Sequence, residues 1–114
     1  MSANVWVKSG RTFNLLTDVP VITGATTGAW LYKDSPTSTI QATVIGTGSV
    51  TCTVTIQVSN DGVNPVATSA GVITLSGTTS ASDGFTTSAP WKFIRAVVTV
   101  PTGTISAITC VMGV

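Results

Sequence analysis

Ser49-Val50-Thr51-Cys52-Thr53-Val54-Thr55-Ile56-Gln57-Val58-Ser59 places apolar residues at 50, 52, 54, 56 and 58, with hydroxyl or amide residues between them. That is the two-residue period of a β-strand with one buried face; a helix would scatter the same set around its axis. Val, Ile and Thr are stiff at χ1 and fit a pleated surface, so side-chain preference and pattern agree. The stretch carries no charge. An uncharged flat edge invites pairing with another chain, which places this strand inside a sheet.

The same alternation flanks it. Thr39 to Ile45 puts Ile40, Ala42 and Val44 on one face, and Gly46-Thr47-Gly48 reads as the turn into the 49–59 strand. Asn60-Asp61-Gly62 closes that strand with a strong turn signal, because Asp and Gly both accept positive φ. Gly71 to Ser76 is a strand with Val72 opposite Ile73 and Leu75, and Gly77 to Gly84 reads as a loop or weak edge. Trp91 to Val100 is a second long strand: Ile94, Ala96, Val98 and Val100 face one way, Trp91, Phe93 and Arg95 the other. Pro101-Thr102-Gly103 reads as a turn into a last strand, Ile105 to Met112, with Ile108, Cys110 and Met112 in register. The first third is a set of short pieces: Asn4–Lys8, Thr12–Leu16, Val21–Thr23 and Trp30–Lys33, then the turn Asp34-Ser35-Pro36. Regular turn signals and the lack of helical periodicity predict an all-β chain. The expected fold is an antiparallel β-sandwich, jelly-roll-like, of about eight to ten short strands, with a small closed barrel as the alternative. Residues 1–114 are expected to form a single β-sandwich domain, with 1–36 expected as an extended arm and edge strands for subunit contacts.

Composition limits what such a domain does. Five basic and four acidic residues, with no His, give a net charge of +1. Five scattered cations cannot form the basic stripe that nucleic-acid binding requires. Charged residues are 8% of the chain, far below the usual quarter, while Thr and Ser together make up about 30%. The outer surface is therefore built of hydroxyls, and partner subunits are expected to cover much of it. The N-terminus shows no basic segment leading into an apolar core, so no secretory signal is expected. The charge-free run Ser35–Asn60 alternates and contains Gly, unlike a transmembrane helix. A membrane β-barrel would want aromatic girdles, and the chain holds three Trp, one Tyr and three Phe.

Reactive groups are scarce. A Ser or Cys nucleophile needs a base within reach, usually His, and none exists. Cys52 and Cys110 each fall on the apolar face of a strand and read as buried thiols. A disulfide would need neighbouring strands with Cα atoms about 5.5 Å apart, and would be unusual in a reducing compartment. Asp18, Asp34, Asp61 and Asp83 all sit beside turn residues, which explains each singly. No phosphate loop, CxxC pair or metal-ligand spacing appears, so neither cofactor nor metal is expected, and an enzyme is not. That leaves Trp6, Trp30 and Trp91 as large amphipathic anchors for core, interface or sugar stacking, with Phe93 and Arg95 beside Trp91 on the outer face.

Val58-Ser59-Asn60-Asp61-Gly62, a further strand, and then Ala89-Pro90-Trp91-Lys92-Phe93-Ile94-Arg95-Ala96 together resemble a pattern in small β-sandwich proteins of tailed-phage virions. The resemblance spans roughly residues 40–114. In that group an aromatic often follows the Ser-Asn-Asp-Gly turn, and here Val63-Asn64-Pro65-Val66 departs from it. The Ser59-Asn60-Asp61-Gly62 turn, with Trp91, Phe93 and Arg95 further on, is similar to the Ser-x-Asp-Gly and aromatic-x-x-Arg arrangement of galactose-binding jelly rolls of the discoidin type, although here Arg95 follows Phe93 by two positions. Among phage proteins, the capsid decoration or cement type fits this size and composition best. The resemblance implies a virion protein on the capsid surface, made in the host cytoplasm. It would bridge major capsid protein subunits as a homotrimer, with no nucleic-acid or membrane partner. A carbohydrate- or receptor-binding module of a tail or head fibre is the alternative.

Overall fold

In the computed structural model, residues 12–19, 26–33, 37–88 and 90–113 are described. They form six antiparallel strands: β1 (Thr12–Val19), β2 (Thr26–Thr27), β3 (Leu31–Tyr32), β4 (Ser38–Ser59), β5 (Gly71–Thr87) and β6 (Phe93–Gly113). The sheet order is β1-β6-β4-β5, with β2 and β3 also pairing with β6. The all-β antiparallel fold therefore stands. The strands among the described residues are fewer and longer than the sequence predicted. Gly46-Thr47-Gly48 and Pro101-Thr102-Gly103 do not reverse the chain; they lie inside β4 and β6. Gly77 to Gly84, expected as a loop or weak edge, is strand: it lies in β5, which ends the sheet order. The Asn4–Lys8 and Val21–Thr23 pieces, the Asp34-Ser35-Pro36 turn and Trp6 lie outside the described residues.

Those three interruptions are corners. Along β4 the buried apolar positions are Ile40, Ala42 and Val44, then Val50, Cys52, Val54, Ile56 and Val58, all of one parity. The register slips between Ile45 and Ser49 against β5, and between Ile45 and Thr53 against β6. At the same level each long strand holds one residue in left-handed backbone: Gly48 (φ +70°) in β4, Thr79 (φ +68°) in β5 and Gly103 (φ +90°) in β6. Bulges of this kind bend a sheet sharply. That bend is large, because Gly71 and Phe85, at opposite ends of β5, touch: a Cβ on Gly71 would stand 2.5 Å from the Phe85 ring. Fully extended, the strand would hold those residues about 45 Å apart. The sheet is thus curled over on itself, and each long strand serves both layers, as two short strands would in a sandwich.

The concave side of the curl is the core. Ile40, Val44, Val54, Ile56, Ile94, Val98, Ile108 and Met112 are at most 1% exposed, packed with Leu15, Leu16, Ile73 and Leu75 in one cluster. Burying each such aliphatic side chain contributes about 1.5–3 kcal/mol. The convex side carries the hydroxyl and amide residues of the alternating pattern, including Thr51 and Thr102, whose side chains hydrogen-bond across β4 and β6. Gln41 and Thr43 bond to Ser82 in the other half.

Candidate functional site on the convex face

Because Ile94, Ala96 and Val98 are wholly buried, the odd residues of the first half of β6, Phe93, Arg95, Val97 and Thr99, face outward. The register pairs Arg95 with Gln57 on β4 and Phe93 with Tyr32 on β3. The Arg95 Nε–H donates to Gln57 Oε1 at 2.7 Å. Its guanidinium lies 4.3 Å from the centre of the Trp30 ring, which the short β2–β3 link delivers to the same face. Planar, weakly hydrated guanidinium suits this stacking better than an ammonium would. Tyr32 meets Phe93 edge to face, with ring centres 5.6 Å apart and planes at 73°. Tyr32 is nonetheless 61% exposed. The result is a cluster of Trp, Tyr, Phe and Arg in a surface otherwise rich in Thr and Ser.

A rigid loop borders this patch. Asp61 Oδ1 accepts from the Ser59 hydroxyl at 2.7 Å and from the backbone N–H groups of Val63 and Asn64 at 2.8 and 2.9 Å. Its Oδ2 accepts from Asn64 Nδ2 at 3.0 Å. The Ser59 Oγ in turn accepts from the N–H groups of Asp61 and Gly62. Gly62 is left-handed (φ +70°) and leans on Phe93, so closely that a Cβ there would sit 3.2 Å from its ring. Asn60 Oδ1 accepts from the Lys92 N–H at 3.2 Å, tying the loop to the approach of β6. Between the loop and Trp91 lies an open hollow of about 410 Å³.

The Ser59 hydroxyl, then the backbone N–H groups of Asn64 and Val63 and the Asn64 amide, hold the Asp61 carboxyl well below its ordinary pKa. Since the folded value is the depressed one, the bonds are fully present above the unfolded pKa, about 3.9, and are lost as pH falls through the folded value. The loop is therefore expected to hold from neutrality to about pH 4 and to loosen only in stronger acid. Asp61→Asn, which removes the charge but keeps the shape, is expected to raise amide exchange at Val63 and Asn64 at neutral pH. Exchange unchanged from the native protein would show that the charge does not hold the loop.

Trp30, Phe93 and Arg95, singled out from the sequence, are brought together, and Trp91 lies with the adjoining loop. Tyr32 and Gln57 were missed, yet Gln57 was findable as an outward position in the most strongly alternating strand. Among the described residues no group of three or more His, Cys, Asp or Glu gathers where a metal ion would bind. Cys52 and Cys110 are free, 2% and 0% exposed. Burial raises the pKa of both, that of Cys110 to about 12, so each stays a thiol at neutral pH and a poor nucleophile.

No family model matches the sequence, and no curated protein does. Among solved structures, the chain is similar to a subunit of a Bacillus endospore appendage, one of a family described as disulfide-linked pili. The TM-score is 0.51 at 16% identity, over 99% of this chain and 94% of the other. At that identity the likeness is one of fold, and it runs the whole length of the chain.

Proposed function

We propose that this chain is a structural subunit of a virion, a capsid decoration or cement protein that binds the outside of a phage head and holds its major capsid protein subunits together. The observation that carries the reading is the convex Trp30–Arg95 and Tyr32–Phe93 patch. Trp, Tyr and Arg are the residue types in which binding energy at protein interfaces concentrates, and here they are held rigid on a sheet. The hydroxyl-rich surface around them is cheap to desolvate compared with a charged one. A cement protein acts by holding, which agrees with a chain that has no His and keeps both thiols buried. Repetition over a symmetric shell multiplies a modest contact into strong avidity. The resemblance to phage virion proteins suggests a homotrimer.

A second reading has its own observation. Among the described residues β5 pairs on one side only, with β4, and its 17 residues carry a single charge, Asp83. Such an edge is a template for strand addition, and copies joined edge to edge in one direction make a filament. The pilus named above is compatible with this in fold. Disulfide linkage is not available here without unfolding, because the chain has two cysteines and both are buried.

Heads assembled without this protein are expected to form but to burst at lower temperature, and adding the purified protein is expected to bind them in many copies and restore resistance. Heads equally robust without it would overturn the cement reading. Regular fibres of the purified protein, unaffected by reductant, would favour the filament.

A further inference from the structure

We infer that the hollow between Trp91 and the 59–66 loop is a binding site for a neutral pyranose sugar. Trp91 forms one wall, half-buried against the core cluster, with Pro65 beside it. Asn60 and Asn64 also line it, each with half of its amide committed: Asn60 Oδ1 to the Lys92 N–H, and Asn64 Nδ2 to Asp61. The Asn60 Nδ2 and the Asn64 Oδ1 are thus left as a donor and an acceptor at the rim.

The chemistry of a pyranose matches this arrangement. One face of the ring presents C–H bonds, which the electron-rich face of an indole attracts. Hydroxyls around the ring both donate and accept, as an amide NH₂ and an amide oxygen together require. The volume of about 410 Å³ falls within the range of small-molecule sites and accommodates a hexose. Asp61 is the anchor rather than a contact, since both its oxygens are occupied by the loop itself. Its uncompensated negative charge disfavours an acidic sugar. Because the loop is held before any ligand arrives, little ordering is required on binding.

This site is separate from the Trp30–Arg95 patch, and it stands whether or not the chain decorates capsids. Being open and having a single aromatic wall, it is expected to bind a monosaccharide with a dissociation constant on the order of 1 mM. The test is an NMR titration of the ¹⁵N-labelled protein with methyl β-galactopyranoside, methyl α-glucopyranoside and N-acetylglucosamine. Saturable shifts of the Trp91 indole N–H and of the Asn60 and Asn64 side-chain amides are expected with at least one of the three. Asn60→Asp keeps the acceptor for Lys92 but removes the rim donor, and is expected to weaken binding about tenfold with the fold intact. Trp91→Phe is expected to weaken it less than Trp91→Ala. No saturable shift with any probe, shifts centred elsewhere, or binding undiminished in a folded Asn60→Asp or Trp91→Ala variant would overturn the assignment.

Discussion

Gly103→Val is expected to cost the protein about 4 kcal/mol or more of its stability, while Gly48→Ala, at the matching corner of the neighbouring strand, is expected to cost only about 1–2 kcal/mol. Both glycines have positive φ, +90° and +70°, where an L side chain is strained. They differ in what a side chain would meet. At Gly48 a Cβ meets nothing within 4 Å, whereas at Gly103 it runs into the carbonyl oxygen of Ser49 and the Cα of Val50. That oxygen belongs to the adjoining backbone of β4, so relief requires the two strands to part at the bend. Valine adds branching to the strain and the overlap, for a total of about 4 kcal/mol or more. Domains of this kind have about 5–15 kcal/mol in all. Thr79, a β-branched residue at φ +68°, marks the same corner in β5. Thr79→Gly is therefore expected to stabilise by about 1 kcal/mol, the opposite sign to Gly48→Ala. Urea melts of the three variants provide the check. Equal losses at 48 and 103, or a loss at 79, would mean that the corner is not shaped as described.

Those corners also explain where the sequence misleads. Thr-Gly pairs and Pro101 signal positive φ or fixed φ, and a reverse turn and a bulged bend need the same local conformations. What separates them is whether the following residues pair back on the same strand or continue beside the same neighbours. Ile40–Val44 and Val50–Val58 keep one parity across the Gly46–Gly48 interruption, but the number of residues gained in a bend is not written locally. The core, by contrast, depends only on alternation, and Ile94, Val98, Ile108 and Met112 are buried as the two-residue period requires. For the patch, the outward direction of Phe93 and Arg95 was legible because their neighbours are apolar. Its coupling to Trp30 was not, since it depends on β3 pairing with β6 across some sixty residues of intervening chain. The Asp61 loop was read as a simple turn. Its strength comes from Ser59, Val63 and Asn64 converging on one carboxylate, which no residue pair announces.

The proposed docking face makes a prediction of comparable size. Trp30→Ala and Arg95→Ala are each expected to weaken binding to heads by at least about thirtyfold, the roughly 2 kcal/mol of an interface hot spot. The double variant is expected to lose less than the product of the two. Each single change already breaks the stack, 4.3 Å from guanidinium to ring centre, so the second removes what is no longer in place. Arg95→Lys should fall between, because lysine keeps the charge but cannot present a planar group to the indole or an Nε–H to Gln57. Ile45, 52% exposed and in the other half of the curl, supplies the contrast, and Ile45→Ala should bind as the native protein does. Melting temperatures should move little in any of these, since the side chains lie on the convex face and the concave core is untouched. Binding lost on Ile45→Ala but kept on Trp30→Ala would put the docking surface on the opposite half of the molecule and would detach the aromatic patch from the proposed function.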